Sequence, residues 1–233
     1  FGVKVVIIEA LPSIVQTQGK EISAALTAAF HKSGIEIKTH TAVESIEKKG
    51  NGLVIHVSGG EKIAVEKAIV AVGRRLNSKG LGLEKAGLSE GPKGKIEVNE
   101  KMETAVPGIY AIGDITAIAM LAHVASHQGI VAAANACGQE AYIHYHAIPA
   151  VIFTHPEIAS VGLTAEQAKE KGLNFSVGTF PFQALGKSIA TMETEGFAQV
   201  IADKKTGEIL GAHVVGHEAS ALISEMALAI NNE

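Results

Sequence analysis

Asp114 closes the stretch Thr104-Ala-Val-Pro-Gly-Ile-Tyr-Ala-Ile-Gly-Asp114. The pattern predicts a turn at Pro107-Gly108, then a buried strand of small and apolar residues, then Gly113 and a lone carboxylate. In open α/β sheets ligands sit beyond the carboxyl ends of the strands. An Asp at that place can accept a hydrogen bond from a sugar or ribitol hydroxyl, and the preceding glycine lets a bulky ligand reach the backbone. The same Asp equally suits the cap of a following helix. Glu9 ends the run Val3-Lys-Val-Val-Ile-Ile-Glu9. An acidic residue at such a strand end accepts from adenosine ribose hydroxyls and repels a 2′-phosphate, which points to NAD rather than NADP. Outside a nucleotide fold, Glu9 is an exposed strand-end charge.

The remaining chemistry-bearing groups are sparse. His123 and His127 stand four apart on a predicted helix, but with no intervening Glu in place and no third ligand the pair does not make a zinc site. His144 and His146 carry no metal reading either. Ser160 and His155 have no partner for nucleophilic work. Cys137 is the single cysteine, so no internal disulfide can form. It lies in an apolar helix and reads as a small core residue. No catalytic residue is expected on this chain.

These groups need elements to hold them. Residues 1–10 read as a strand buried on both faces. Ile22, Leu26, Ala29 and Phe30 share a helix face that Gly34 is placed to end, and Ile35–Lys38 returns as a second strand. Strand, helix, strand at this spacing is a parallel crossover unit. Residues 45–48 and 53–57 alternate about Lys49-Gly50-Asn51-Gly52, a hairpin. Residues 68–73 read as a buried strand closing on Gly73 and the paired Arg74-Arg75, which are expected to pair with surface carboxylates. Residues 76–95 suit a linker, and 120–137 a helix apolar enough to be buried on most of its surface. From 148 onward, strands near 151–153, 158–161, 175–180, 197–202 and 209–215, with helices opening at Thr164 (capping box to Gln167) and running along the stripe Ala219 to Ile230, predict an antiparallel sheet with two helices. The fold class is α/β: a partial dinucleotide-binding, Rossmann-like parallel unit, then a segment carrying the Asp114 motif, then an α+β domain.

Composition narrows the function. A formal charge of −4 argues against general affinity for nucleic acid or anionic membrane. No run approaches the ~18 apolar residues of a membrane span, and no charged-then-apolar leader stands at the start, so a cytoplasmic protein is the expectation.

The Thr104–Asp114 string resembles the second flavin-binding motif of the two-dinucleotide-domain flavoprotein disulfide reductases, the pyridine nucleotide-disulfide oxidoreductases. Val72-Gly-Arg-Arg75 resembles the end of their NAD domain, and Ile148-Pro-Ala-Val-Ile-Phe-Thr-His-Pro-Glu-Ile-Ala-Ser-Val-Gly-Leu-Thr164 closely resembles the start of their dimerisation domain. The resemblance runs over essentially the whole chain. It implies an NAD-binding part at 1–76, a flavin-binding part at 77–147 and a dimerisation domain at 148–233. It implies FAD and NAD as cofactors: Gly113 and Asp114 on the ribityl chain, and Met120, Leu121, Ala122 and His123 beside the isoalloxazine ring at a positive helix end. On the NAD side it implies Glu9 on the ribose, Val43 against adenine and Gly73 along the adenosine half. The implied reaction is oxidation of dihydrolipoyl groups, carried by subunits of 2-oxo-acid dehydrogenase complexes, by a homodimer paired through 148–233. It further implies that the reactive cysteine pair, the first glycine fingerprint and the acid/base His-Pro segment lie outside these residues, leaving this stretch inactive alone. Two alternatives stay open: a family member with another substrate (transhydrogenase, mercuric, trypanothione or glutathione type), and a non-catalytic dimerisation module in which 148–233 folds and pairs alone.

Overall fold

The computed structural model describes residues 2–232. Two compact units emerge: one gathers the chain up to Val70 with Pro149 onward, the other is Ala71–Ile148.

In the first unit, β1 (Val6–Ile8), α1 (Lys20–Lys32) and β2 (Glu36–Lys38) form the expected crossover, with β1 and β2 parallel and Ile7 opposite Ile37. α1 ends where the glycine sits. Gly34 takes φ 78°, its amide donates to His31 O, and the Ile35 amide donates to Phe30 O, the paired bonds of a Schellman stop. β1 is shorter than expected: only three residues pair, all half-buried, while Val3 and Val5 are exposed. β3 (Val43–Lys49), β4 (Gly52–Val57) and β5 (Lys62–Val65) make an antiparallel meander whose first turn places Gly50 at φ 61°, the left-handed conformation that a two-residue hairpin asks of its first central residue.

The larger sheet orders β6 (Ala150–Ile152), β7 (Glu157–Gly162), β8 (Phe175–Pro181), β9 (Phe197–Asp203) and β10 (Ile209–Gly216) as β6-β7-β10-β9-β8, every pair antiparallel. β10 lies at the centre, and Gly211 to Gly216 along it are all buried. Its Gly211 lets the chain pass close: a Cβ there would stand 2.0 Å from Leu163 O. The turn from β9 to β10 is closed by Asp203 Oδ1, which accepts the amides of Lys205 and Thr206. Three helices rather than two accompany the sheet: α3 (Ala165–Glu170), the short α4 (Gly186–Thr191) and α5 (Ala219–Asn232). Thr164 opens α3 with both bonds of its capping box, and α5 packs on β7 and β10.

The sheet's other face is covered by α1. Ile158 and Val215, opposite one another in register, share a core with Ile14, Ile22 and Leu26. Each such buried side chain contributes roughly 1.5–3 kcal/mol of transfer free energy. Polar ties frame this seam: Ser160 Oγ donates to Gln18 Oε1 at 2.8 Å, and the Lys20 amide at the start of α1 donates to Glu166 Oε1 at 3.3 Å. The core under residues 148–233 is therefore completed by the N-terminal helix and is not self-contained.

Residues 68–73 do not form the expected strand. They pair with neither β1 nor β2, and Ile69 and Val72 are 94% and 92% exposed. Local β-branched composition favours an extended chain, but a strand exists only when a neighbour takes its hydrogen bonds.

The second unit has its core in Met102, Val131, Ala132 and Ile143. Residues 76–95 carry only short 3-10 turns. The strand expected after Pro107-Gly108 reduces to a single bridge, Glu103 to Tyr110. α2 (Ala122–Ala136) is buried along one stripe only, Val124, Gln128, Val131 and Ala132, with Ile130 65% exposed. Cys137 follows α2 and is exposed: it falls off that stripe and so is not the core residue expected. Among the described residues no helix is long and apolar enough to cross a membrane.

Candidate functional site

Asp114 lies in a 3-10 turn, Gly113–Thr116, and not at the end of a strand. Neither of its sequence-based placements holds in its simple form, for it does not cap α2 either; that helix starts at Ala122, and no side chain caps it. What fixes Asp114 is the turn itself. Gly113 adopts φ 76°, where a side chain would be strained. Its amide donates to Gln128 Oε1 at 2.6 Å, and its carbonyl accepts from Thr116 Oγ1 at 2.8 Å. The turn closes with the Ala117 amide on Asp114 O, and Gln128 and Thr116 are both fully buried.

The carboxylate points outward and meets Arg74. Nη1 of Arg74 donates to Asp114 Oδ2 at 2.8 Å, and Nη2 donates to the carbonyl of Met120 at 2.6 Å. The two side chains are 59% and 46% exposed. One arginine thus ties together the three stretches singled out in this half of the sequence: Gly73-Arg74, Gly113-Asp114 and the segment Met120-Leu121-Ala122-His123 that opens α2. Oδ1 of Asp114 accepts no hydrogen bond among the described residues. Gly73 takes φ 117°, and among the described residues, its chain neighbours aside, no atom lies within 4 Å of the position its Cβ would occupy, so its backbone is open on that side. Leu121 precedes α2 in extended conformation.

Glu9 and Val43 belong to the other unit. Glu9 follows β1 directly. Its carbonyl accepts the Thr41 amide and its Oε1 accepts the Leu11 amide at 2.8 Å, which leaves Oε2 without a partner among the described residues. Val43 begins β3 two residues past Thr41 and is half exposed. The Thr41–Glu9 bond thus brings the start of β3 close to the end of β1. His144 and His146 face each other at 6.1 Å between ring centroids. Among the described residues no group of three or more His, Cys, Asp or Glu could hold a metal ion.

Two residues were not read from the sequence as part of this site. Arg74 was expected to pair with a surface carboxylate, but not with Asp114. Gln128 carries no motif of its own in the sequence. Its signal was the spacing: it falls four after Val124 and three before Val131, on the buried stripe of an alanine-rich helix, where an amide needs partners.

The donor set fits a cofactor carrying a polyol. An open carboxylate oxygen beside a glycine turn suits a hydroxyl donor, and an uncapped helix start suits negative charge. The second-unit residues fit this chemistry, while Glu9 Oε2 and the apolar Val43 fit a ribose and an adenine face.

The family model for pyridine nucleotide-disulphide oxidoreductases matches residues 1–129, and the model for the dimerisation domain of the same enzymes matches residues 148–233. The chain belongs to the pyridine nucleotide-disulphide oxidoreductases. Among individual proteins, it is 46% identical over 233 residues to a dihydrolipoyl dehydrogenase of Chlamydia pneumoniae, covering 100% of this chain and 50% of the relative. It is 44% identical over 235 residues to a dihydrolipoyl dehydrogenase of Thermus scotoductus, covering 99% and 51%. Two solved structures superpose closely: LpdA from Mycobacterium tuberculosis, with TM-score 0.93 at 27% identity over 99% of this chain and 50% of that one, and the HOCl-induced flavoprotein disulfide reductase RclA from Escherichia coli, with TM-score 0.90 at 25% identity over 100% and 54%. The chain spans about half the length of the curated relatives it matches.

Proposed function

We propose that this chain is part of a flavin-dependent disulfide oxidoreductase that oxidises the dihydrolipoamide of 2-oxo-acid dehydrogenase complexes, with FAD as carrier and NAD as hydride acceptor. The observation that carries the reading is the 46% identity to a dihydrolipoyl dehydrogenase along the whole chain. Residues 1–76 serve the NAD side, 77–147 the flavin side, and 148–233 pair two copies into a homodimer. The enzyme is cytoplasmic and meets lipoyl-bearing subunits as partners.

When bound, FAD supplies the two-electron relay between dithiol and nicotinamide. The chain's own residues bind and orient. Asp114 Oδ1 accepts a hydrogen bond from a ribityl hydroxyl while Arg74 fixes Oδ2. Gly113 keeps the approach clear of a side chain. The opening of α2, Met120 to His123, would offer its positive helix end to a negatively charged part of the bound flavin. On the NAD side Glu9 Oε2 accepts from the adenosine ribose and its charge disfavours a 2′-phosphate, Val43 covers adenine, and Gly73 leaves the backbone approachable. Thiol–disulfide exchange needs two cysteines, and this chain has one, so the chain alone does not turn over lipoamide.

The test is a pair of preparations: these 233 residues, and the longest polypeptide in which they occur. The visible flavin spectrum and dihydrolipoamide-dependent reduction of NAD are measured on both. Flavin bands and NAD reduction in the longer polypeptide, with no turnover by the shorter, support the reading. A colourless long polypeptide that forms a discrete dimer refutes it in favour of an assembly module.

A further inference from the structure

We propose that Gln128 is a positioning residue for the cofactor carboxylate: from inside α2 it holds the Gly113 peptide in the one conformation that presents Asp114. The proposal rests on the flavin reading of Asp114 given above.

The argument starts from a cost. Gln128 is 0% exposed on a stripe otherwise made of Val124, Val131 and Ala132. A buried amide is destabilising unless both ends are bonded, and an apolar side chain of similar volume would fill the same space without that demand. Here both ends are committed. Oε1 accepts the Gly113 amide at 2.6 Å, and Nε2 donates to Tyr145 Oη at 3.0 Å. The orientation of the amide is fixed by chemistry, because a backbone N–H can only donate and so must face the oxygen. Tyr145 Oη in turn lies 3.9 Å from Met102 Sδ in the core. The anchor is therefore buried, and what it grips is Gly113.

Gly113 is where such a grip matters. A glycine loses more conformational freedom on ordering than any other residue, and this one sits at φ 76° directly before Asp114. Gln128 takes its N–H and Thr116 takes its carbonyl, so both peptide groups of the residue are clamped from the protein interior. Among the described residues the Asp114 side chain is held at its tip alone, by the exposed Arg74. The interior clamp, more than the surface ion pair, sets where the carboxylate points before any ligand arrives. This is preorganisation, which lowers the ordering cost of binding.

Three substitutions test it. Gln128→Met removes both bonds at similar volume. Gln128→Glu keeps an acceptor for Gly113 and lets the Tyr145 hydroxyl donate in reverse. Asn135→Ala is the structural control: Asn135 sits on the same helix and bonds Val131 O and Ala141 O, with no contact to Gly113. Amide hydrogen exchange and the 15N–1H shift of Gly113 are read in the 233-residue chain, and FAD affinity by fluorescence quenching in the longest polypeptide in which it occurs. The expected result is a protected Gly113 amide in the wild type and Gln128→Glu, and an exposed one in Gln128→Met. FAD affinity should fall about tenfold in Gln128→Met, the scale of one buried hydrogen bond, with recovery in Gln128→Glu. Asn135→Ala should lower stability while leaving affinity and the Gly113 amide unchanged. Equal FAD affinity in wild type and Gln128→Met, or an unaltered Gly113 amide, overturns the positioning role and leaves the flavin reading standing. A wild-type long polypeptide that binds no FAD overturns both.

Discussion

Neutralising Asp114 should separate holding the fold from holding the cofactor. The Arg74–Asp114 pair is close, 2.8 Å, but its side chains are 59% and 46% exposed. In bulk-water dielectric two unit charges at that distance attract by about 1.5 kcal/mol. Salt screening and the entropy of fixing two mobile side chains reduce this to about 0.2–1 kcal/mol, the range found for exposed pairs. Arg74→Ala, Asp114→Asn and the double variant, followed by urea denaturation and circular dichroism, form a double-mutant cycle. The coupling should be below about 1 kcal/mol and shrink further in high salt. Binding should respond otherwise. Asn at 114 keeps the shape but offers a neutral acceptor, worth about 1–1.5 kcal/mol less than a charge-assisted one, so FAD affinity in the longest polypeptide should fall roughly five- to tenfold. A coupling above about 2 kcal/mol would make the pair a structural strut. Undiminished FAD affinity in Asp114→Asn would refute the assignment of that carboxylate.

Three further outcomes follow from the packing. Gly211→Ala would push a methyl to 2.0 Å from Leu163 O on the central strand, and should cost more than about 3 kcal/mol by thermal or chemical unfolding, the overpacking end of core substitutions. Thr164→Ala removes the capping box of α3 and should cost about 1 kcal/mol, measurable by the same assay. His213 lies buried in β10, where its Nε2–H donates to Leu163 O at 3.1 Å and Nδ1 has no partner among the described residues; burial holds its pKa below 6.5 despite that carbonyl and the nearby Glu166 and Glu21. The unfolded chain therefore takes up the proton first, so stability is full above pH 6.5 and falls below it. Glu157, whose pKa is lowered by the Ser220 amide at the start of α5, adds its loss only below the ordinary carboxyl value of 4.5. His213→Gln should flatten the upper part of the unfolding-versus-pH curve and leave the lower part in place; an unchanged upper part would exclude His213 as its source.

Local signals were legible wherever the chain satisfies them locally. Gly34 after an amphipathic run, Thr164 with Gln167, Asp203 before Gly207 and Gly50 in its hairpin each close a hydrogen bond within a few residues, and each appears as read. Ile69 to Val72 has equally good composition, but its structure depends on a neighbouring strand that the described residues do not supply. The same reason explains the stretch before Asp114, where a single bridge replaces a strand. α2 misled through composition: alanines satisfy a helix on any face, so an apolar count overstated how much of it is buried. The carboxylate that matters to the proposed chemistry was found by its place in a motif. Its clamp, Gln128, was not, because its importance comes from a backbone amide fifteen positions earlier and no local pattern records that contact.

The seam where α1 covers Ile158 and Val215 has an effect on how the molecule comes apart. Early and late portions of the polypeptide are knitted through one oily interior, while the stretch between them belongs to the other compact unit. A protease that nicks the intervening lobe would leave two pieces still clasped together under native conditions and released from each other only by denaturant. Cleavage sites mapped on a gel would thus report where the backbone is exposed, and not where the protein can be divided.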